Sequence, residues 1–205
     1  MLAESPHHPL DLDWLVDGLA LGSAEAVAAG SAKRLARDHA ITHVVDLRAE
    51  SRDDRRELAN AGIRLLWLPT VDGCALTQPM IASGVEWVTR ACDRGGRVLV
   101  HCQHGIGRSA LLALCVLVEH GIEPITALTL VKDAREIVAP SLEQLVAFAT
   151  FARTIHRARG ASWSIPSVDD LSRIAYRHLD ILTEDEDRTD PCVTRAGLDV
   201  SDGYG

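Results

Sequence analysis

Short apolar runs alternate along the chain with stretches whose apolar residues recur at helical spacing. Leu15 to Leu21 reads as a short strand or a hairpin around Gly18. Ser23 to His39 has helical spacing, with Ser23 as its cap. Thr42 to Leu47 is a β-branched run bounded by charge, which predicts a buried strand. Arg52 to Ala61 is charged and helical, and Ile63 to Leu68 is a further strand, ended by Pro69. Ser83 to Asp93 predicts a helix closed by Gly95 and Gly96, and Arg97 to His101 another buried strand. A glycine-containing loop, Cys102 to Arg108, leads into an apolar helix from Ser109 to His120. Pro124 suits the first turn of a helix reaching about Ile137. Pro140 and Ser141 open a last long helix to about Arg159. Strands alternating with helices predict an α/β fold with a central, mostly parallel sheet flanked by helices.

The ends read differently from the middle. Residues 1–13 look like a loose lead-in, and 14–160 carry the periodic pattern of a single domain. Asp169 to Leu182 has helical periodicity, so 161–182 is expected to hold an accessory helix. Residues 183–205 are acidic, turn-rich and poor in apolar side chains, the composition of a disordered tail.

Composition narrows the function. The 205 residues suit one sizeable domain, and 47% hydrophobic residues can fill its core. The net charge of −8 argues against nucleic acid as a partner. Four arginines against ten acids from Gly160 onward give −6, which leaves about −2 for everything before. The apolar run Ala110 to Val118 is too short to span a bilayer, so no membrane anchor is expected. The start has neither a basic region nor an apolar core, and no signal peptide is read there. A reducing cytoplasm is the expected location. Five cysteines, at 74, 92, 102, 115 and 192, form no CxxC pair, and the nine histidines show no ligand spacing. Neither a metal, a cofactor nor a disulfide framework is expected.

The chemistry concentrates where a buried strand ends on Cys102. Arg108 follows five residues later, and a helix starts at once. A loop between a strand's end and a helix's N-terminus gathers backbone N–H groups that point inward. Gly105 and Gly107 let that backbone curl around an oxyanion, so residues Gln103, His104, Gly105, Ile106 and Gly107 form a phosphate-sized nest. Arg108 can add two parallel charge-assisted hydrogen bonds. A thiolate beside this cation and helix terminus is favoured over the thiol, and Ser109 can donate to the sulfur. Cys102 is therefore the candidate nucleophile toward a phosphate ester. A bound phosphate or sulfate ion is expected in the loop. The bland alternative is a buried structural cysteine with Arg108 as a surface charge.

The string His101-Cys-Gln-His-Gly-Ile-Gly-Arg108-Ser109 resembles the HCxxGxxRS signature of the dual-specificity branch of the protein tyrosine phosphatases. Leu15 to Ser23 and Ile41 to Leu47 are similar to that family's opening segment and first buried strand, so the likeness covers roughly residues 14 to 155. The resemblance implies a three-layer α/β/α phosphatase fold and a phosphorylated protein or small phosphomonoester as substrate. It also implies an aspartic acid some thirty residues before the nucleophile as proton donor. Asp72 stands there, before a hinge-like Gly73, where a plain turn Asp would also fit. Asp46, Asp53 and Asp54 are fallback acids.

Other assignments stay divided. Arg48 follows a strand end and meets the substrate, or pairs with Glu50 or Asp53 on the surface. His101 orients the loop through hydrogen bonds rather than transferring protons. His104 faces the phosphate or solvent. Gln144 positions water or is an exposed helix residue. Arg135 has a structural role under the loop, by the resemblance. Cys74 fills space, or protects Cys102 by a reversible disulfide. The rival functions are a catalytically dead module that binds phosphoresidues, a phosphatase for inositides or nucleotides, and arsenate reduction with Cys74 as relay. The loop carries no Lys or Arg besides Arg108, which weakens a highly charged phosphoinositide as substrate.

Overall fold

A computed structural model describes residues 9–177. Its sheet has the order β1-β2-β5-β3-β4. The strands are β1 (Leu12–Val16), β2 (Leu19–Gly22), β3 (His43–Arg48), β4 (Arg64–Thr70) and β5 (Val98–His101). β1 and β2 form an antiparallel hairpin around Gly18, and every other pairing is parallel. The helices are α1 (Ala32–His39), α2 (Arg55–Asn60), α3 (Gln78–Cys92), α4 (Arg108–Glu119), α5 (Pro124–Ala134), α6 (Leu142–Arg159) and α7 (Val168–Ala175).

Two apolar clusters sandwich the sheet. One joins Val45, Leu47, Val98 and Val100 to α3, α4, α5 and α6. The other joins Val44 and Leu99 to Leu35 of α1 and Leu58 of α2. Alternate residues of a strand face opposite sides, so β3 and β5 must be apolar on both. α4 packs against α3, α5 and α6, and everything from Arg108 to Val118 is buried. This central position explains why Ala110 to Val118 is apolar without helical periodicity.

Several boundaries differ from the sequence reading. The lead-in ends early: β1 begins at Leu12, paired with Gly22, and Asp11 and Asp13 bind Arg135. The helix expected over 23–39 is broken. A 3₁₀ turn, Ala24–Val27, precedes a kink at Gly30 (φ 86°), and the Ser31 hydroxyl donates to the carbonyls of Ala26 and Ala28 before α1 starts. Pro69 lies inside β4, which tolerates it as an edge strand. α3 starts at a Thr77 cap, with Pro79 in its first turn, rather than at Ser83. α5 stops at Ala134, because Arg135 is extended (φ −138°) and turned to other work. α7 follows a Ser167 capping box and buries Leu171 and Ala175. The end of the expected accessory helix and the tail at 183–205 lie outside the described residues. Among the described residues no helix is long and apolar enough to cross a membrane.

Candidate active site

β5 lies in the middle of the sheet, and its carboxyl end delivers Cys102 to the floor of the loop that opens α4. The carbonyls of four successive loop residues are held from outside. Ala24 N–H donates to Gln103 O (3.1 Å), Arg135 Nη2 to His104 O (3.0 Å), Arg135 Nε to Gly105 O (3.2 Å) and Ala139 N–H to Ile106 O (3.1 Å). A peptide's N–H points opposite its C=O, so these contacts turn the N–H groups of residues 104–107 to the inside. Arg135 is itself clamped by Asp11 and Asp13, at 2.8 and 2.7 Å. Its place behind the loop agrees with the structural role expected of it. The two carboxylates fell in the stretch read as loose, because nothing local in residues 9–13 signals a partner so far along the chain.

Both glycines of the loop leave space that a side chain would fill. Gly105 has φ 72°, and a Cβ there would meet Gly22 O at 2.7 Å. A Cβ on Gly107 would meet Gln144 Oε1 at 2.4 Å. Gln144 is therefore not the exposed helix residue that was one reading of it. It is buried, accepts from Ser141 N–H and donates to Cys74 O, which ties the start of α6 to the loop and to the Asp72 turn.

Cys102 is only 3% exposed. Its Sγ lies 3.2 Å from Ser109 Oγ. Burial pushes the thiol's pKa up. The Ser109 hydroxyl and backbone, the Arg108 charge and the Gly105 backbone outweigh it, and the pKa ends below the ordinary thiol range. Cys74 is disulfide-bonded while Cys102 is free, so the bridge considered between them is not formed. The Cys102 sulfur faces inward to Ser109 instead.

Arg108 is buried at the base of the site. Nη1 donates to Glu50 Oε2 and Thr70 O, and Nη2 to Glu50 Oε1, each at 2.8 Å. Asp72 Oδ1 lies 2.9 Å from Nη2, and Nε is buried without a partner. Glu50 thus grips the end of the guanidinium, and the edge formed by Nε and Nη2 remains for an anion once Asp72 gives way. The Arg108 hydrogen bond draws the Glu50 carboxyl's pKa below its usual range. Glu50 was missed as a site residue. The segment after β3 was expected to border the crevice, and that position was the available signal, but of its side chains only Arg48 was considered for contact with the substrate, beside the alternative of pairing with Glu50 or Asp53.

Arg48 turns the other way. It is buried and pairs with Asp46 (2.9 Å) and Asp53 (2.6 Å), so it does not present its guanidinium to a substrate. Asp53 also meets His101 Nε2 at 2.8 Å, and His101 Nδ1 lies 3.3 Å from Cys102 O. Asp46 and Asp53 are therefore committed beneath the loop, and Asp54 caps α2. All three fallback acids are thus engaged with other partners. His104 and Gln103 line a cleft of about 560 Å³ beside the loop, together with Glu25 and Glu136.

The family model described as "Dual specificity phosphatase, catalytic domain" matches residues 22–153. Dual specificity protein phosphatase 26 of Bos taurus is 34% identical over 130 residues, covering 62% of this chain and 60% of that protein. The chain spans less than two thirds of the length of the curated relatives it matches. Two solved structures share the fold. PTPMT1 in complex with PI(5)P gives a TM-score of 0.66 at 24% identity, covering 73% of this chain and 99% of that one. Tk-PTP in the active form gives 0.64 at 23%, covering 70% and 97%.

Proposed function

Because this chain belongs to the dual specificity phosphatase catalytic-domain family, we propose that it hydrolyses phosphomonoesters through a phosphocysteine intermediate. The observation that carries the reading is the Cys102 sulfur on the floor of a loop whose four carbonyls are pinned outward.

Substrate phosphate enters the loop and takes the inward N–H groups and the Nε/Nη2 edge of Arg108. This displaces Asp72 from Nη2, and the freed carboxylate takes up a proton from solvent beside the leaving oxygen. The Cys102 thiolate attacks phosphorus. The S–P bond forms, the P–O bond to the leaving group breaks, and Asp72 gives that oxygen a proton. The Asp72 carboxylate then accepts a proton from water as the water attacks phosphorus. The S–P bond breaks, and Ser109 stabilises the departing thiolate. The N–H groups and Arg108 hold charge that grows on the equatorial oxygens.

A phosphorylated protein side chain suits the site better than a polyanionic inositol phosphate. Glu25 and Glu136 line the cleft beside the loop, and Glu50 and Asp72 pair with Arg108 at its base, so acids rather than free cations stand where further phosphates would bind. The test is turnover of p-nitrophenyl phosphate, phosphotyrosine and phosphoserine peptides and a phosphoinositide by the wild type and by Cys102→Ser. Loss of turnover in Cys102→Ser with retained binding of a phosphate analogue is expected. An equally active Cys102→Ser protein would overturn the mechanism. A wild type that binds these phosphoesters without turning any over would be a binding module instead.

A further inference from the structure

A different cleft, of about 540 Å³, lies at the opposite end of the sheet from Cys102, where β3, β4 and β5 begin. That volume is within the ordinary range for a small-molecule site. His43 opens β3 and Arg64 opens β4, while Trp87 and Arg90 come from α3 and Arg94 from the turn after it. The wall between α3 and β3 is closely built. Thr42 N–H donates to Arg97 O (2.9 Å), Arg97 N–H donates to Thr42 Oγ1 (3.0 Å), and a Cβ on Gly96 would meet Ala91 O at 2.8 Å.

No acid lines this cleft, although the chain carries 29 acids against 21 lysines and arginines. Arg90 pairs with Glu86 (2.5 Å), and both side chains are exposed. Arg64 and Arg94 have no carboxylate partner among the described residues. Arg108 at the catalytic loop differs, since Glu50 and Asp72 both hold it. His43 feels the uncompensated charge: burial, and then Arg64, push its ring's pKa below the ordinary histidine range. The Trp87 ring stands edge-on to the His43 ring, with centroids 5.0 Å apart. A smaller cleft of about 320 Å³ shares Arg64 and Trp87 with the first and adds Arg55, again with no acid in its lining. Guanidinium forks take phosphate oxygens in pairs. Arginines on separate elements, around a cleft several times the volume of one phosphate group, suit a chain of phosphates.

We infer that this cleft is an anion site separate from the catalytic loop, and that its ligand is a small molecule with two or more linked phosphates, held by Arg64 and Arg94 beside Trp87. The inference uses neither Cys102 nor phosphoester hydrolysis. The four-residue strand β5 separates the two anion sites, with Gly96 before its start and Cys102 after its end.

The test titrates inorganic triphosphate and ATP into the full chain carrying Cys102→Ser, so that neither probe is consumed at the catalytic loop. Binding is read from the assigned indole signal of Trp87 by NMR. Triphosphate should move that signal saturably, and the movement should persist when Arg108→Gln is added. Arg64→Gln together with Arg94→Gln should weaken binding roughly tenfold or more. The same pair of substitutions with Cys102 intact should leave thermal unfolding and turnover of p-nitrophenyl phosphate at wild-type level. Where these variants fail to fold, the first titration decides alone: a Trp87 signal unmoved by millimolar triphosphate overturns the inference. So does a movement that is lost with Arg108→Gln and kept without Arg64 and Arg94, because the anion then sits only in the catalytic loop. Hexaglutamate binding tighter than triphosphate also overturns it, and makes the cleft a docking surface for an acidic protein segment. ATP binding no tighter than triphosphate supports recognition of the phosphate chain alone, and tighter ATP binding supports a nucleotide with its base against Trp87. Failure of the phosphatase reading is distinguishable, because the Trp87 signal would still move in a chain that turns over no phosphoester.

Discussion

Cys102 lies in the loop that opens α4 and Cys115 within that helix, and they are buried almost equally, at 3% and 0% exposure. Their thiols are nevertheless driven in opposite directions. Cys115 belongs to the apolar core, and burial alone pushes its pKa well above the ordinary thiol range. Cys102 bears the same kind of burial, and the Ser109 hydroxyl, the loop backbone and Arg108 reverse its effect. Burial therefore does not make a cysteine inert. The partners at the helix N-terminus decide, and they are absent around the helix's middle.

The sharpest way to break this contrast is to exchange sulfur for oxygen at both positions. Cys102→Ser should lower turnover of p-nitrophenyl phosphate by on the order of 10⁴-fold or more, with phosphate still bound. Cys115→Ser should leave turnover intact and lower thermal stability by about 1–3 kcal/mol, because it buries a hydroxyl among apolar side chains. Denaturant titration checks the second value.

Next in size is the clamp. Arg108→Lys keeps the charge and loses the planar fork, so kcat/KM should fall by roughly 10²–10³-fold. Asp72→Asn keeps the shape of the acid without its proton. It should slow kcat by about 10²-fold or more on substrates with poor leaving groups and much less on activated aryl phosphates. Equal losses on both would remove Asp72 from the proton-transfer step.

Smaller effects sharpen the electrostatic side. Ser109→Ala removes one donor to the sulfur and should raise the Cys102 pKa, read from the acid limb of kcat/KM. The sign follows from what the hydroxyl stabilises: without it the thiolate forms only at higher pH, so the limb moves up. In the wild type, alkylation at neutral pH should label Cys102 first. Cys92 should lag, because burial and the nearby Asp93 and Asp17 push its thiol up, and Cys115 should lag further.

Much of the fold was legible because its signals are local. The β-branched runs at 42–47 and 97–101, and the glycines and prolines between elements, placed the sheet and most of the helices. The errors came where a distant partner decides. Gly30 and the Ser31 hydroxyl break an apolar pattern that otherwise reads as one helix. Arg135 leaves α5 to hold loop carbonyls thirty residues earlier in the chain. Gln144 was left between water positioning and an exposed helix face because its partners, Gly107 and the Cys74 carbonyl, are remote in sequence. Arg48 and Glu50 show the limit most clearly. Both follow β3, and no local rule tells which of two charged side chains turns under the loop and which reaches the arginine above it.

The sequence by itself placed the candidate nucleophile and its immediate cradle. Cys102, two glycines, Arg108 and Ser109 lie within eight residues at a strand-to-helix junction, the local pattern of an anion nest. The tertiary structure alone decided how the nest is charged and held. Glu50 on the guanidinium, Arg135 on the carbonyls, and Asp53 behind His101 come from segments that meet only when β3, β5 and the start of β1 are laid together in the sheet. Electrostatic partners act through space, and their separation along the chain leaves no periodic signal from which to read them.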